Sequence, residues 1–367
     1  MLATADAAGS VWPYSVDLAR GLARLGIETV VAVIGPPPSP AQRAAAADVE
    51  GLELVETGLP LDRLGDDSAS LRAAARAVAA LADATGADVV QLNMPALAAG
   101  ARFKQPVVAV HHRCAATWWE AVHGTELPAE FAWRKQLVRA GLQAADAVVA
   151  PTVAFAAATR RIYRLSEPPR AVHYGRSPLP APRHAPHDFV FTAGRLWDEG
   201  KNLDMLDAAA QHIPVPVRAA GSRRGPDGAS VVFDNIDCVG TLDEDELARW
   251  LSARPVFVSA ALYEPFGLAV LEAASAGCPL ILADIPSFRE IWDEVAVFVP
   301  PRDEEGFARA IARLVADDFE RAVIGRAAKE RAGLYTPDAM AAQMAAIYRS
   351  LLPAVRRPVL AAARAAA

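Results

Sequence analysis

The chain has 367 residues, 53 % of them hydrophobic, and a net charge of −6, which is too long for one typical domain and enough for two cores of roughly 150–180 residues. The first 180 residues balance 17 basic against 17 acidic side chains, so the whole deficit lies in the second part, and the acidic excess argues against a dedicated nucleic-acid binder. Cys114, Cys238 and Cys278 are far apart and form neither a CxxC pair nor a disulfide framework.

No leader-like segment or run of about 18 apolar residues occurs, so the expected setting is soluble and cytoplasmic, with at most peripheral membrane contact. Lysine occurs only at Lys104, Lys135, Lys201 and Lys329. Arginine carries most of the positive charge, and Lys201 stands out against that background.

The chain opens in a strand at residues 2–6, short enough to leave room for a start upstream of Met1. It turns through Ala8-Gly9-Ser10 into a helix with apolar Val11, Tyr14, Leu18 and Leu22, closed by Gly26. A strand at 29–34 completes a β-α-β unit that lacks a full GxGxxG. Further strands are expected at 52–57 and 88–93, with a helix at 68–84 between them. The run 106–112 (PVVAVHH) reads as a buried parallel strand ending in His111 and His112. Either these histidines face the crevice where ligands bind in open α/β sheets, or one closes the strand and the other is solvated. His-His-Arg-Cys has no neighbours that complete a zinc site. Trp118 and Trp119, expected in a loop, form either a sugar or aglycone platform or a lid on the core. A helix at 131–143, a strand at 146–150, a helix at 152–163 and a strand at 170–174 follow. Arg160, Arg161 and Arg164 read as a solvated face. Residues 177–187, with prolines at 178, 180, 182 and 186, form the clearest linker.

The second β-α series starts at 189–195 (FVFTAGR) and continues through Lys201 into a helix at 202–211. Strands at 215–220 and 236–239 precede Gly240-Thr241-Leu242 and a helix at 243–253. Asp243-Glu244-Asp245 fits a DxD metal pattern in letters, but its place before a helical run favours a helix cap. The stretch from Val256 to Glu272 is a buried strand that turns at Glu264-Pro265-Phe266-Gly267 into a helix. Free N–H groups and the dipole at such a junction bind phosphate, and a carboxylate on either side can hold sugar hydroxyls. An ordinary strand–helix junction with two solvated glutamates is the competing reading. A strand at 279–283, a short helix near 288–292, a strand at 296–299 and helices at 304–316, 321–332 and 338–352 complete the chain.

In AGRLWDEGKNL (193–203) and YEPFGLAVLEA (263–273) the chain resembles the retaining glycosyltransferases of family 4. The resemblance extends to the Gly9-Ser10 turn, VHHRC and the last helix. It implies an α/β GT-B fold, two Rossmann-like domains facing across a cleft, with an acceptor-binding domain at 1–180 and a nucleotide-sugar-binding domain at 181–336. Residues 337–367 would form a C-terminal helix crossing back to the first domain. The implied activity moves a hexose-type sugar from a nucleotide-diphosphate sugar, UDP-linked or alternatively GDP-linked, to a hydroxyl of a small-molecule, glycan or lipid-linked acceptor. It proceeds with retention, with no cofactor and no metal.

Arg195 and Lys201 would neutralise the leaving diphosphate. By the resemblance, Glu264 holds sugar hydroxyls and Glu272 ribose hydroxyls. The N–H groups of Phe266, Gly267 and Leu268 meet the distal phosphate, and Gly9 and Ser10 close over it. Leu242 completes the donor set. His112 reaches the sugar and the reacting centre. Acceptor contacts are expected from Trp12, Trp118, Trp119 and Tyr174. His173-Tyr174-Gly175 stands where the family often has Asn-Gly, and Ser10 replaces a second glycine. A GT-B sugar-nucleotide epimerase using His111 or His112, and a non-catalytic nucleotide-sugar binder, are the alternatives.

Overall fold

A computed structural model describes residues 1–59, 68–180, 188–225, 228 and 230–353. Part of the expected linker, 181–187, and the last residues of the expected C-terminal segment, 354–367, lie outside them. Two parallel sheets make up the frame. The first has β1 (Leu2–Ala5), β2 (Thr29–Val33), β3 (Leu52–Glu56), β4 (Val90–Leu92), β5 (Val107–Val110), β6 (Ala147–Ala150) and β7 (Arg170–Ala171), in the order β3-β2-β1-β4-β5-β6-β7. The second has β8 (Val190–Ala193), β9 (Val217–Ala220), β10 (Ile236–Gly240), β11 (Val256–Ser259), β12 (Leu280–Ala283) and β13 (Val297–Val299), in the order β10-β9-β8-β11-β12-β13. In each sheet the order reverses beside the first strand, β1 against β4 and β8 against β11. That reversal opens a crevice at the strands' carboxyl ends.

The strands are parallel because helices connect them and cover both faces, so β5 (VVAV) and β12 (LILA) are apolar and buried throughout. The first domain carries α1 (Val11–Ala23), α2 (Pro40–Ala47), α3 (Ser68–Ala84), α4 (Ala115–His123), α5 (Ala132–Ala144) and α6 (Val153–Tyr163). The second carries α7 (Leu203–Ala210), α8 (Glu244–Ser252), α9 (Leu268–Ala276), α10 (Pro286–Trp292), α11 (Glu304–Ala316) and α12 (Asp318–Ala332). The last helix, α13 (Pro337–Leu351), packs on α1 of the first domain. A Cβ on Gly21 would lie 2.6 Å from both the Ala341 Cβ and the Pro337 carbonyl oxygen, so only glycine permits that approach.

Two expectations need correction, and one helix is an addition. Helix α2 was not anticipated, although Ser39 and Gln42 form a reciprocal capping box with Pro40 in the first turn. Trp118 and Trp119 lie in helix α4, not in a loop; Cys114 caps it and Gly124, at φ 69°, ends it. The seventh strand pairs only over Arg170–Ala171, because β6 is its sole neighbour and the chain then leaves the sheet for the second domain.

Candidate active site

Between the two sets of strand ends lies a cavity of about 430 Å³. Its first-domain wall includes Gly9, Ser10, Asn93, His112, Arg113 and Trp118, and its second-domain wall includes Arg195 and Asp198. These residues follow β1, β4, β5 and β8, the central strands of each sheet.

On the second-domain wall each expected cation is held by a carboxylate. Nε and Nη2 of Arg195 donate to Oδ2 of Asp198 at 3.1 and 2.7 Å. Burial works against the charged Asp198, but Arg195 and hydrogen bonds from Arg195 and Trp118 hold its carboxyl below the usual range. Lys201 ends the short turn Glu199–Lys201, and its ammonium donates to Oε2 of Glu264. Arg195 lines the cavity; Lys201 and Glu264 stand outside its lining. Gly267, at φ 96°, starts α9 in a left-handed conformation, so Leu268 opens the helix and its first N–H groups lack intrahelical partners. Phe266, by contrast, is a buried core ring, 4.8 Å from Tyr174 between centroids.

Glu272 is engaged. Nε of Arg176 donates to its Oε1 at 2.8 Å, while the other guanidinium nitrogens donate to Asp17 at 3.0 Å and Glu244 at 2.6 Å. Burial raises the Glu272 pKa, and Arg176 offsets this only in part. Arg176 therefore ties the crossover after β7 to α1, α8 and α9, and Glu272 can hold a ribose only by exchange with Arg176. Leu242 lies just after β10, half-buried against the main core.

His112 sits on the cleft floor with both ring nitrogens committed. Asn93 Nδ2 donates to the Thr4 carbonyl at 2.6 Å, which leaves Asn93 Oδ1 to accept from His112 Nε2 at 3.0 Å. Nδ1 then accepts from the Tyr174 hydroxyl. Burial, with a smaller contribution from His111, pushes the His112 pKa down to about 3, so its imidazole is neutral at pH 7. His111 is fully buried, with Nδ1 3.0 Å from the Thr159 hydroxyl, and burial takes its pKa to about 3 as well.

The expected acceptor residues divide. Trp118 lines the cavity and its Nε1 donates across the cleft to Asp198 Oδ1 at 2.8 Å. Trp119 instead donates to Thr125 at 3.1 Å and packs at a tilt against His123, 4.2 Å between ring centroids, away from the cavity lining. Trp12 is a correction: it is 6 % exposed, packed with Val16, Val31 and Val33 under the first sheet. Tyr174 is another, 6 % exposed between Tyr14, His112 and Phe266. Both rings are apolar bulk that a core takes up, and their helix or strand-end spacing carries no sign of which face will be covered.

Asn93, Arg113, Asp198 and Arg176 were missed. Asp198 could have been found, three residues after Arg195 and at the cap of the Lys201 turn. Arg176 could not, because its three carboxylates are 68, 96 and 159 positions away. Asp243 caps α8 by accepting from the Glu246 N–H at 2.7 Å. Among the described residues no three His, Cys, Asp or Glu side chains converge as a metal site, and no helix is long and apolar enough to cross a membrane.

Residues 11–178 match the family described as Glycosyltransferase Family 4, and residues 187–317 the family described as Glycosyl transferases group 1. Glycogen synthase of Mycobacterium tuberculosis (strain ATCC 25618 / H37Rv) is 39 % identical over 95 residues, 25 % of this chain and 23 % of that protein. D-inositol 3-phosphate glycosyltransferase of Nocardioides sp. is 27 % identical over 148 residues, 40 % of this chain and 32 % of that protein. The matches thus span a quarter to a third of the length of these curated relatives. Among solved structures, sucrose-phosphate synthase from Thermosynechococcus elongatus superposes with a TM-score of 0.75 at 21 % identity, covering 96 % of this chain and 99 % of that one. Anabaena Alr3699/HepE in complex with UDP-glucose gives 0.71 at 17 % identity, covering 95 % and 99 %. At such identities the likeness is one of fold, two parallel-sheet domains in the GT-B arrangement.

Proposed function

The chain is a GT-B protein that matches Glycosyltransferase Family 4 in its first half and Glycosyl transferases group 1 in its second, and from that premise we propose that it is a retaining glycosyltransferase. The donor is a nucleotide-diphosphate hexose, a UDP-sugar by preference, and the acceptor group is a hydroxyl. The observation that carries the reading is one cleft with Arg195 on one wall and the Gly9-Ser10 turn and His112 on the other. A solved structure of the same fold that holds UDP-glucose supports the choice of nucleotide.

The acceptor oxygen bonds to the anomeric carbon on the face from which the diphosphate leaves. The carbon–oxygen bond to the diphosphate breaks with its electron pair on the leaving group, and the acceptor proton passes to a departing phosphate oxygen. Charge grows on that group, and the chain meets it with Arg195, Lys201 and the amino ends of α1 and α9. A diphosphate entering the site takes Arg195 from Asp198 and Lys201 from Glu264, which leaves the Glu264 carboxylate to accept from sugar hydroxyls. These residues supply the charge balance without a metal ion. The neutral His112, held by Asn93 and Tyr174, forms the floor against which the sugar packs and does not transfer a proton. An epimerase would need His111 or His112 as acid and base; both are buried, and His112 has both ring nitrogens occupied, which favours transfer.

The test is a screen of nucleotide sugars for slow hydrolysis, with released nucleotide as readout, on the wild type and on Arg195→Ala and Lys201→Ala. Each substitution is expected to cut turnover by roughly a hundredfold with the fold intact, the scale of one lost charge-stabilising donor. Turnover within about threefold of wild type in both would reject the reading.

A further inference from the structure

Tyr263 belongs to the second domain by sequence and to the first by its side-chain contacts. It stands between β11 and α9, immediately before Glu264. Its N–H and that of Leu262 donate to the Gly200 carbonyl at 3.2 and 2.9 Å, and Glu264 holds the ammonium of Lys201. Residues 262–264 are thus fastened to the turn that presents Lys201. The Tyr263 side chain reaches the other way. Its ring meets Phe155 edge-on, 6.3 Å between centroids, beside Ala150 and Ala156 at the junction of β6 and α6. Its hydroxyl lies 2.8 Å from Thr117 Oγ1 and accepts from the Cys114 N–H at 3.4 Å. Thr117 Oγ1 donates to the Cys114 carbonyl at 3.1 Å, so towards Tyr263 it accepts, and the phenol is the donor. Burial pushes the phenol pKa up, which keeps that proton in place at pH 7.

These partners open α4, the helix whose amino end (Cys114, Ala115 and Ala116) and Trp118 line the cavity. Tyr263 itself stands outside the lining. An apolar ring would fill the space between the domains equally well; a directed hydroxyl fixes which turn of α4 the loop meets. The other cross-domain bond of this loop, from Thr152 to the Pro265 carbonyl at 3.0 Å, holds α6 rather than α4.

We infer, resting on the glycosyltransferase reading above, that Tyr263 is a positioning residue for transfer: its hydroxyl registers the loop carrying Glu264 and the Lys201 turn against the α4 wall of the cleft. The sugar held by the second domain then faces the first-domain wall at one separation. Reacting atoms tolerate little error there, and a misplacement of about 1 Å costs turnover on the order of a hundredfold. Affinity for the free nucleotide depends far less on this register, because Arg195, Lys201 and the amino end of α9 all belong to the second domain.

The test combines hydrolysis of UDP-glucose, UDP-galactose, UDP-N-acetylglucosamine and GDP-mannose, read as released nucleotide, with calorimetry using UDP and GDP. Y263F is expected to lower kcat about tenfold or more, with KM and nucleotide affinity within about twofold of wild type. T117V should do the same, and T117S, which keeps the hydroxyl, should stay within about threefold of wild-type turnover. Y263F/T117V should be no worse than the more damaged single variant, since each change deletes the same bond. A merely structural contact would instead lower the unfolding temperature and leave turnover per folded molecule unchanged. Turnover of Y263F within about twofold of an active wild type would overturn the proposal and leave the transferase reading standing. So would losses that multiply in the double variant. A wild type that hydrolyses none of the four nucleotide sugars would overturn that reading, and the proposal with it.

Discussion

At the scale of single residues, the site is a set of cations already holding carboxylates: Arg195 with Asp198, Lys201 with Glu264, Arg176 with Glu272. On the proposed function the first two pairs exchange a carboxylate for phosphate. The third is structural, since Arg176 and Asp17 are nearly inaccessible at 8 % and 0 % side-chain exposure. Removing one partner of a buried pair leaves the other charge without compensation. Arg176→Met is therefore expected to cost about 3–5 kcal/mol in urea unfolding. Glu272→Gln keeps a hydrogen-bond acceptor beside Arg176, so it should cost less. A loss below about 1 kcal/mol for Arg176→Met would show that the pair contributes little net stability.

The two histidines make stability depend on pH. Both have folded pKa values near 3 against about 6.5 unfolded. The unfolded chain therefore binds protons that the folded chain refuses, and their contribution, full above pH 6.5, is lost as pH falls towards 3. Each histidine contributes a slope of up to about 1.4 kcal/mol per pH unit in that window. Glu272, with its raised pKa, works in the opposite sense and is common to wild type and variant. His111→Phe, beside Phe155 and Tyr163, should flatten the slope between about pH 5 and 6.5 by roughly one histidine's share. Equal slopes in the two proteins would mean that His111 is protonated when folded.

At the scale of elements, the contact between α1 and α13 joins the chain's end to its beginning. Arg24 donates to both oxygens of Asp338 at 2.6 and 2.7 Å, and Tyr348 reaches Gln91 beneath the first sheet. The exposed ion pair adds little; close packing through Gly21 matters more. Gly21→Leu must push the helices apart and should destabilise by about 2–4 kcal/mol, whereas Arg24→Ala should cost under about 1 kcal/mol. Thermal unfolding of the two variants checks the order, and equal effects would mean that α13 docks loosely.

For the whole molecule, the cross-domain contacts matter most. Trp118 reaches Asp198, the hydroxyls of Thr117 and Tyr263 lie 2.8 Å apart, and Thr152 donates to the Pro265 carbonyl at 3.0 Å. Glu290 of α10 accepts from the Val153 and Ala154 N–H groups at 2.8 Å and so caps α6 in the other domain. On the proposed function, a nucleotide diphosphate bridging Arg195 and the amino end of α1 is expected to add to these and favour a closed state. Small-angle scattering should show a smaller radius of gyration with saturating UDP, and Trp118→Phe, which deletes one bridge, should blunt the change. An unchanged wild-type profile would mean domains that do not move on binding.

Much of this molecule was legible along the chain. Apolar runs such as PVVAVHH and helical spacing after Gly9 and Gly267 define parallel β-α units through local periodicity alone. The pairing of AGR…K with E-P-F-G…E pointed to a diphosphate site because both stretches follow strands, and strand ends meet at a crevice. The tertiary structure decided what separation in sequence hides. It buried Trp12 and Tyr174, which look like sugar-stacking rings in one dimension, because burial depends on which helix covers which face. It gave Glu272 to Arg176 and His112 to Asn93 and Tyr174, through partners 19 to 96 residues away. And it seated Tyr263 beside Thr117, 146 residues away, a contact set by how the two domains meet.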